Sequence, residues 1–143
     1  MSDNEELFKE IDLLQGCINR MANCSFICKG WTITLIAAIL GLFHEDLGYA
    51  LLISLIPLFG FWYIDSKYLQ LEQIYRNRYA WVIEFRSRGN HSGLFDLNPH
   101  NYGTNIKGQP KSLQKILCSW SEMPYLIATI VDILLISIKC MGV

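Results

Sequence analysis

The chain has 143 residues and a formal charge of −1, so it is long enough to bury one core and carries no basic excess that would point to nucleic acid as a partner. Hydrophobic residues make up 52% and charged residues 17%, which is too apolar for disorder yet leaves room for a cytosolic portion beside membrane segments. The acidic start Met1-Ser2-Asp3-Asn4-Glu5-Glu6 has no basic region ahead of an apolar stretch, so a cleaved signal peptide is not expected.

The first element in chain order is a helix. Leu7, Ile11, Leu14, Ile18 and Met21 recur at spacings of 4, 3, 4 and 3, a heptad seam. Asp3 or Asn4 can cap it, Glu5 and Glu6 favour its first turn, and Gly16 weakens it by about 1 kcal/mol. No proline intervenes before His44, so the helix is expected to run on through the apolar stretch Trp31–Phe43, about 58 Å from Glu5 to Phe43.

The stretches Trp31–Phe43 and Tyr49–Ile64 contain no charged residue and flank the polar break His44-Glu45-Asp46-Leu47-Gly48. A crossing helix needs roughly 20 residues, which the first stretch reaches if Phe26–Gly30 joins it and Lys29 snorkels to the headgroups. The second reaches it with Leu47 and Gly48, leaving Trp62 and Tyr63 in the interfacial belt. Together they predict a membrane hairpin. The connection carries no Lys or Arg, whereas Lys29 lies on one side and Lys67, Arg76, Arg78, Arg86 and Arg88 follow the other. The positive-inside rule then places the N-terminus in the cytoplasm, and a multi-pass protein of the cell inner membrane is expected.

Beyond Asp65 the second helix is expected to continue, with Tyr68, Leu71, Tyr75, Tyr79 and Val82 as an apolar and aromatic stripe. Pro57 should kink it. Gly89 ends it, and residues 90–110 are turn chemistry, with Leu94, Phe95, Leu97 and Tyr102 expected to dock on the helices. Lys111–Trp120 reads as a short amphipathic helix leading into Pro124–Ile138, an apolar run interrupted by Asp132. The predicted fold is therefore an all-α membrane protein: a long antiparallel transmembrane hairpin over 1–88, with cytosolic coiled-coil-like stems at 5–28 and 65–88 and spans at about 27–43 and 48–64. A cytosolic loop at 89–110 and a C-terminal segment at 111–143 with a third membrane helix complete it.

No phosphate-binding glycine loop, nucleophile elbow or metalloprotease helix is present, so no catalytic residue, cofactor or metal is assigned and no enzyme activity is expected. Cys17, Cys24, Cys28, Cys118 and Cys140 form no Cys-x-x-Cys pair and read as small apolar residues. His91 and His100 share the loop near Asp96 and are candidate contacts there, with solvated turn residues as the plainer reading. Arg76 and Arg78 are candidate contacts on the second stem, and Leu14 and Ile18 on the first. Asp132 is costly inside an apolar run and lies on the same face as Lys139, about 10 Å away. It either lines a water-filled path or sits wet on a helix packed at the surface. Ala37, Ala38, Gly41, Ser54 and Gly60 allow close helix packing, and a homo-oligomer in contact with membrane lipids is expected.

The stretch Arg20-Met-Ala-Asn-Cys-Ser-Phe-Ile-Cys-Lys-Gly-Trp, the hairpin, and Phe61-Trp-Tyr-Ile-Asp-Ser-Lys-Tyr-Leu-Gln-Leu-Glu-Gln-Ile-Tyr-Arg resemble small prokaryotic membrane proteins of the two-transmembrane SLATT type. The similarity spans roughly residues 18–82, with Ser119-Trp120-Ser121 besides, and rests on layout and aromatic positions. It implies a membrane-permeabilising or pore-forming effector in phage defence, controlled by a protein partner or a nucleotide signal. The third apolar run departs from that layout. The alternative is a membrane anchor whose stems recruit a soluble partner. A lipid-modifying enzyme using His91 and His100 is a third, weaker reading.

Overall fold

The computed structural model describes residues 3–89, 93–102 and 105–141. Its described residues form four α-helices and three short 3-10 turns: α1 (Asp3–Leu42), α2 (Leu47–Phe85), α3 (Leu113–Leu117) and α4 (Met123–Cys140). With no proline between Asp3 and Leu42, α1 is continuous. Helix α2 also runs unbroken, through Pro57. Asp46 starts α2, its carboxylate accepting the Tyr49 N–H at 3.3 Å while its carbonyl takes the Ala50 N–H. At the far end of α2 a 3-10 turn, Arg86–Arg88, tightens the chain, and Gly89 stops it at φ 82°, a left-handed backbone that suits glycine. Three helices, α1, α2 and the segment Trp120–Lys139, are long and apolar enough to cross a membrane.

The chain divides into two compact units, one of residues 1–24 and 68–112 and the other of 25–67 and 113–143. The first is built like a water-soluble core. Leu14, Cys17, Ile18 and Met21 of α1 are buried with Tyr75, Trp81 and Val82 of α2 and Tyr102 of the following loop, and Leu7, Ile11, Tyr68, Leu71 and Tyr79 pack around them. The heptad seam and the aromatic stripe of the sequence are the two apolar faces that meet here. The loop is laced along α2: the Tyr75 hydroxyl donates to Leu97 O at 3.0 Å, Lys107 N–H to Asn77 O at 3.1 Å, and Lys107 Nζ pairs with Glu84 at 2.7 Å. Tyr102 is buried, which pushes its hydroxyl pKa up, and Leu97 packs beside the core. Phe95 remains exposed.

Inside this apolar core sits an ionic group. Glu10 and Arg78 are each 1% exposed and Arg86 is 6% exposed, so all three are out of water. Arg86 grips Glu10 with both arms of its fork, Nε to Oε2 at 2.8 Å and Nη2 to Oε1 at 2.6 Å. Arg78 reaches the same carboxylate at 3.3 Å and donates to Gly93 O at 2.7 Å and Asn105 O at 3.0 Å. Its guanidinium lies 4.5 Å from the Trp81 ring centre and 5.1 Å from that of Tyr102, so ring faces offset part of its lost hydration.

The second unit has the opposite polarity. Its buried positions on α1 are Ser25, Cys28 and Thr32; on α2 they include Ser54, Leu58, Asp65 and Ser66; and near or on α4 they are Glu122, Tyr125 and Asp132. Its exposed positions are large and apolar: Phe26 at 75%, Ile33 at 68% and Ile56 at 73%, with Ile127, Ile130, Val131, Ile133, Leu134 and Leu135 along α4. The expected amphipathic helix over Lys111–Trp120 is shorter than the sequence suggests. Ser119 takes an extended backbone, so α3 stops at Leu117, and a 3-10 turn, Trp120–Glu122, leads directly into α4.

Candidate functional site: a polar stripe inside an apolar helical unit

The inward stripe of α4 and its lead-in is Glu122, Tyr125, Thr129, Asp132 and Ile136, with Thr129 and Ile136 half-buried and the others buried, spaced 3, 4, 3 and 4, the positions that share one helix face. Four of the five are polar or carry a polar group. The sequence drew attention to Asp132 alone, because it interrupts an apolar run, and the structure buries it with 6% exposure. Its Oδ2 accepts the Ser54 hydroxyl at 3.1 Å, and that hydroxyl also reaches Leu51 O at 2.7 Å within α2.

At the end of α4 where Glu122 lies, a second polar level gathers residues from all three long helices. Lys29 of α1 pairs with Asp65 of α2 and donates to Ser25 Oγ at 2.9 Å. Its ammonium lies 5.8 Å from the Tyr125 ring centre, and Trp62 stacks on that ring at 6.4 Å and 8°. Glu122 is the electrostatic neighbour of Asp65 and Lys29 and lies beside the Ser66 hydroxyl. Both of its carboxylate oxygens are buried without a hydrogen bond, as are Asp65 Oδ1, Ser66 Oγ and Tyr125 Oη.

The third level lies at the other end of α4. Lys139 pairs with Asp46 at 2.6 Å at the start of α2, and the ammonium, with the Tyr49 N–H, holds the Asp46 carboxyl below the usual carboxylate range. From Glu122 to Asp132 to Lys139 the rise along α4 is about 15 Å and then about 10 Å. From Asp65 to Ser54 to Asp46 along α2 it is about 16 Å and then about 12 Å, so the two helices bring their polar residues together level by level. Between the Asp132 and Lys139 levels opens an apolar groove of about 750 Å³ lined by Ile36, Leu40, Leu51, Val131, Leu135 and others, with Asp132 and Lys139 among its few polar groups.

The remaining sequence candidates fall elsewhere. Lys139 shares the groove with Asp132 but pairs with Asp46, and Lys29 pairs with Asp65. Leu14 and Ile18 are core residues of the first unit rather than an open contact surface. Arg76 is exposed and pairs with Glu72 one helical turn away, at 2.7 Å. Arg78, a candidate contact on the second stem, is buried on Glu10. His100 is exposed at a 3-10 turn capped by Asn98, and His91 lies outside the described residues. Among the described residues no group of three or more His, Cys, Asp or Glu could hold a metal ion.

The residues that sequence reasoning passed over are Asp65, Glu122 and Glu10. Each stands at the end of an apolar run or among other charges, where composition reads it as a solvated flank. Spacing is the signal that finds them: Asp65 continues the buried series Leu51, Ser54, Leu58, and Glu10 lies between Leu7 and Leu14 at helical intervals of 3 and 4. Comparison with family models, with curated proteins and with solved structures finds no match to this chain.

Proposed function

We propose that this chain is a multi-pass inner-membrane protein, N-terminus in the cytoplasm, that self-associates and permeabilises the bilayer in response to a cytosolic cue. The observation that carries the reading is the inverted polarity of the unit formed by 25–67 and 113–143. Water would penalise a surface of Phe26, Ile33, Ile56 and the α4 leucines and isoleucines, whereas lipid accepts it. Only 17%, 22% and 17% of the residues in the three apolar windows are buried, so lipid or further copies of the chain must cover the rest. The rise of about 26 Å from Glu122 to Lys139 approaches the roughly 30 Å of a hydrocarbon core. On this reading α1 and α2 form the predicted hairpin in the bilayer, with 5–28 and 65–88 as its stems, and the unit formed by 1–24 and 68–112 receives the cue. An effector role in phage defence is what the SLATT-type resemblance adds. Asp132 and Ser54 then offer the one polar step at mid-depth, where a permeating ion or water file most needs it.

The test is release of an entrapped dye from liposomes holding the purified protein, alone and with its neighbouring gene products. Wild type is expected to leak. Asp132→Leu is expected to slow the leak roughly a hundredfold, as an added barrier of about 2.5–3 kcal/mol would. Intact liposomes in every combination, or equal leakage from Asp132→Leu, would overturn the permeation reading. The scaffold alternative draws on a separate observation: Phe8 at 65% and Leu13 at 45% are exposed on α1 within the first unit and offer a partner an apolar foothold.

A further inference from the structure

Buried charges in the cluster around Lys29 do not balance. Asp65, Ser66 and Glu122 are fully buried, Ser25 and Thr32 are 4% exposed, and Tyr125 is 2% exposed, so the carboxylates and hydroxyls are out of solvent and only Lys29, with 22% of its side chain exposed, keeps an edge toward it. The groups that bear charge are Lys29 from α1, Asp65 from α2 and Glu122 ahead of α4, and Tyr125 is the further titratable neighbour. Lys29 is committed to Asp65 by direct contact. One ammonium and two carboxylates leave a surplus of one negative charge, and it falls on Glu122.

The hydrogen-bond inventory points the same way. Five oxygens in the cluster make no hydrogen bond of ordinary geometry: Asp65 Oδ1, Ser66 Oγ, both oxygens of Glu122, and Tyr125 Oη, although the Ser66 hydroxyl lies beside Glu122 and the Tyr125 hydroxyl beside Thr32 and Asp65. All five belong to acidic or hydroxyl groups that meet one another here. The hydroxyls of Ser66 and Tyr125 each carry one donor, too few to satisfy two carboxylates whose lone pairs are mostly unpaired. An isolated ionised carboxylate in such a place costs several kcal/mol, and its neutral form does not. Adding a single O–H to Glu122 removes the surplus charge and supplies the missing donor at once.

We propose that Glu122 is a proton-binding site: at neutral pH it holds one proton taken from solvent, in a buried cluster whose other carboxylate is neutralised by Lys29. The ligand is the proton itself, and no bond in the protein breaks when it binds or leaves. Release of the proton places a net charge of −1 among Tyr125, Trp62 and the apolar helix faces, which the cluster can tolerate only by admitting water. The inference rests on burial and charge balance within this unit and stands whether or not the protein permeabilises membranes.

Infrared spectroscopy of the full chain in detergent, titrated with alkali, reads the site directly. The expected result is a protonated-carboxyl C=O band at neutral pH that disappears on alkaline titration. It should shift when glutamate alone is ¹³C-labelled, stay unchanged on addition of sodium chloride, and be missing in Glu122→Gln. The labelled wild-type protein assigns the band to glutamate even if the substitution disturbs folding. Absence of any glutamate C=O band at neutral pH overturns the proposal, as does a glutamate band, identified by its ¹³C shift, that persists in a folded Glu122→Gln protein. Loss of the band on adding sodium at constant pH also overturns it, because the site would then belong to a metal cation. Dye release from the same preparation is scored separately, so failure of the permeation reading leaves this result intact.

Discussion

Replacing Glu10 by Ala is expected to cost the first unit about 4 kcal/mol. The substitution strips two buried guanidiniums of the carboxylate they share. Arg86 loses a two-pronged contact at 2.6 and 2.8 Å, and Arg78 loses a longer one at 3.3 Å. Two unit charges about 4 Å apart interact by about 4 kcal/mol at an effective dielectric constant near 20, and breaking a buried pair costs about 3–5 kcal/mol in practice. Arg78 keeps its carbonyl partners at Gly93 and Asn105 and its aromatic neighbours, which argues against the top of that range. Arg86 loses the two shortest charged contacts of the group, which argues against the bottom. A loss of 4 kcal/mol is nearly a thousandfold in the folded-to-unfolded ratio and a large share of the roughly 5–15 kcal/mol that a domain has.

Trp81 is the natural reporter, since both guanidiniums lie over its ring, at 4.5 and 5.8 Å. A protein keeping Trp81 as its only tryptophan, unfolded with denaturant in detergent, gives the midpoint shift for this unit. Glu10→Met combined with Arg86→Met should recover at least half of the loss, because an apolar pair of similar volume tolerates the site better than one orphaned charge. A cost for Glu10→Ala below about 1 kcal/mol, the size expected of an exposed ion pair, would refute the reasoning.

Two further outcomes follow from the other unit and from the contrast between units. Lys139→Met should raise the pH at which Asp46 titrates in an NMR titration, because the ammonium is the chief group holding that carboxyl low. With its folded pKa depressed, the pair's contribution is present above the unfolded value and fades as pH falls through the folded one; an unmoved titration would show that the contact is not made in solution. Brominated acyl chains should quench Trp31, 55% exposed on α1, far more than Trp81, 5% exposed in the other unit's core. Equal quenching of the two would refute the lipid-facing assignment.

How much of this was legible in the sequence depended on whether residue type and residue spacing agreed. Where they agreed, as in Leu14, Ile18 and Met21 against Tyr75 and Val82, the buried faces could be read before any coordinates, and so could the three apolar helices. Where they disagreed, type prevailed and misled. Arg78 and Arg86 stand at helical intervals from Tyr75 and Val82, squarely on the stripe, yet their charge suggested a solvated flank. The helix α3 was expected, but its early end was missed for a different reason: the apolar spacing Leu113, Ile116, Leu117, Trp120 is helical, but the extended backbone at Ser119 is not written in any periodicity.

The same conflict, taken over the whole chain, shows why hydropathy alone could not describe this protein. Along α1 the buried face changes from Leu14, Ile18 and Met21 to Ser25, Cys28 and Thr32 without a break in the helical spacing. Along α2 it changes in the reverse direction, from Ser54 and Asp65 to Tyr75 and Val82. An averaged moment treats each helix as one amphipathic surface, so the two halves cancel. What persists is the spacing: one face stays buried throughout, and its make-up shifts from mostly apolar to more polar on passing from the first unit to the second. A buried carboxylate is therefore found by asking which charged residues fall on that face. In the 25–67 and 113–143 unit the answer is Asp65, Glu122 and Asp132. Asp65 touches a cation, whereas Asp132 and Glu122 have only neutral hydroxyls beside them, and of these two it is Glu122 that shares its cluster with a second carboxylate.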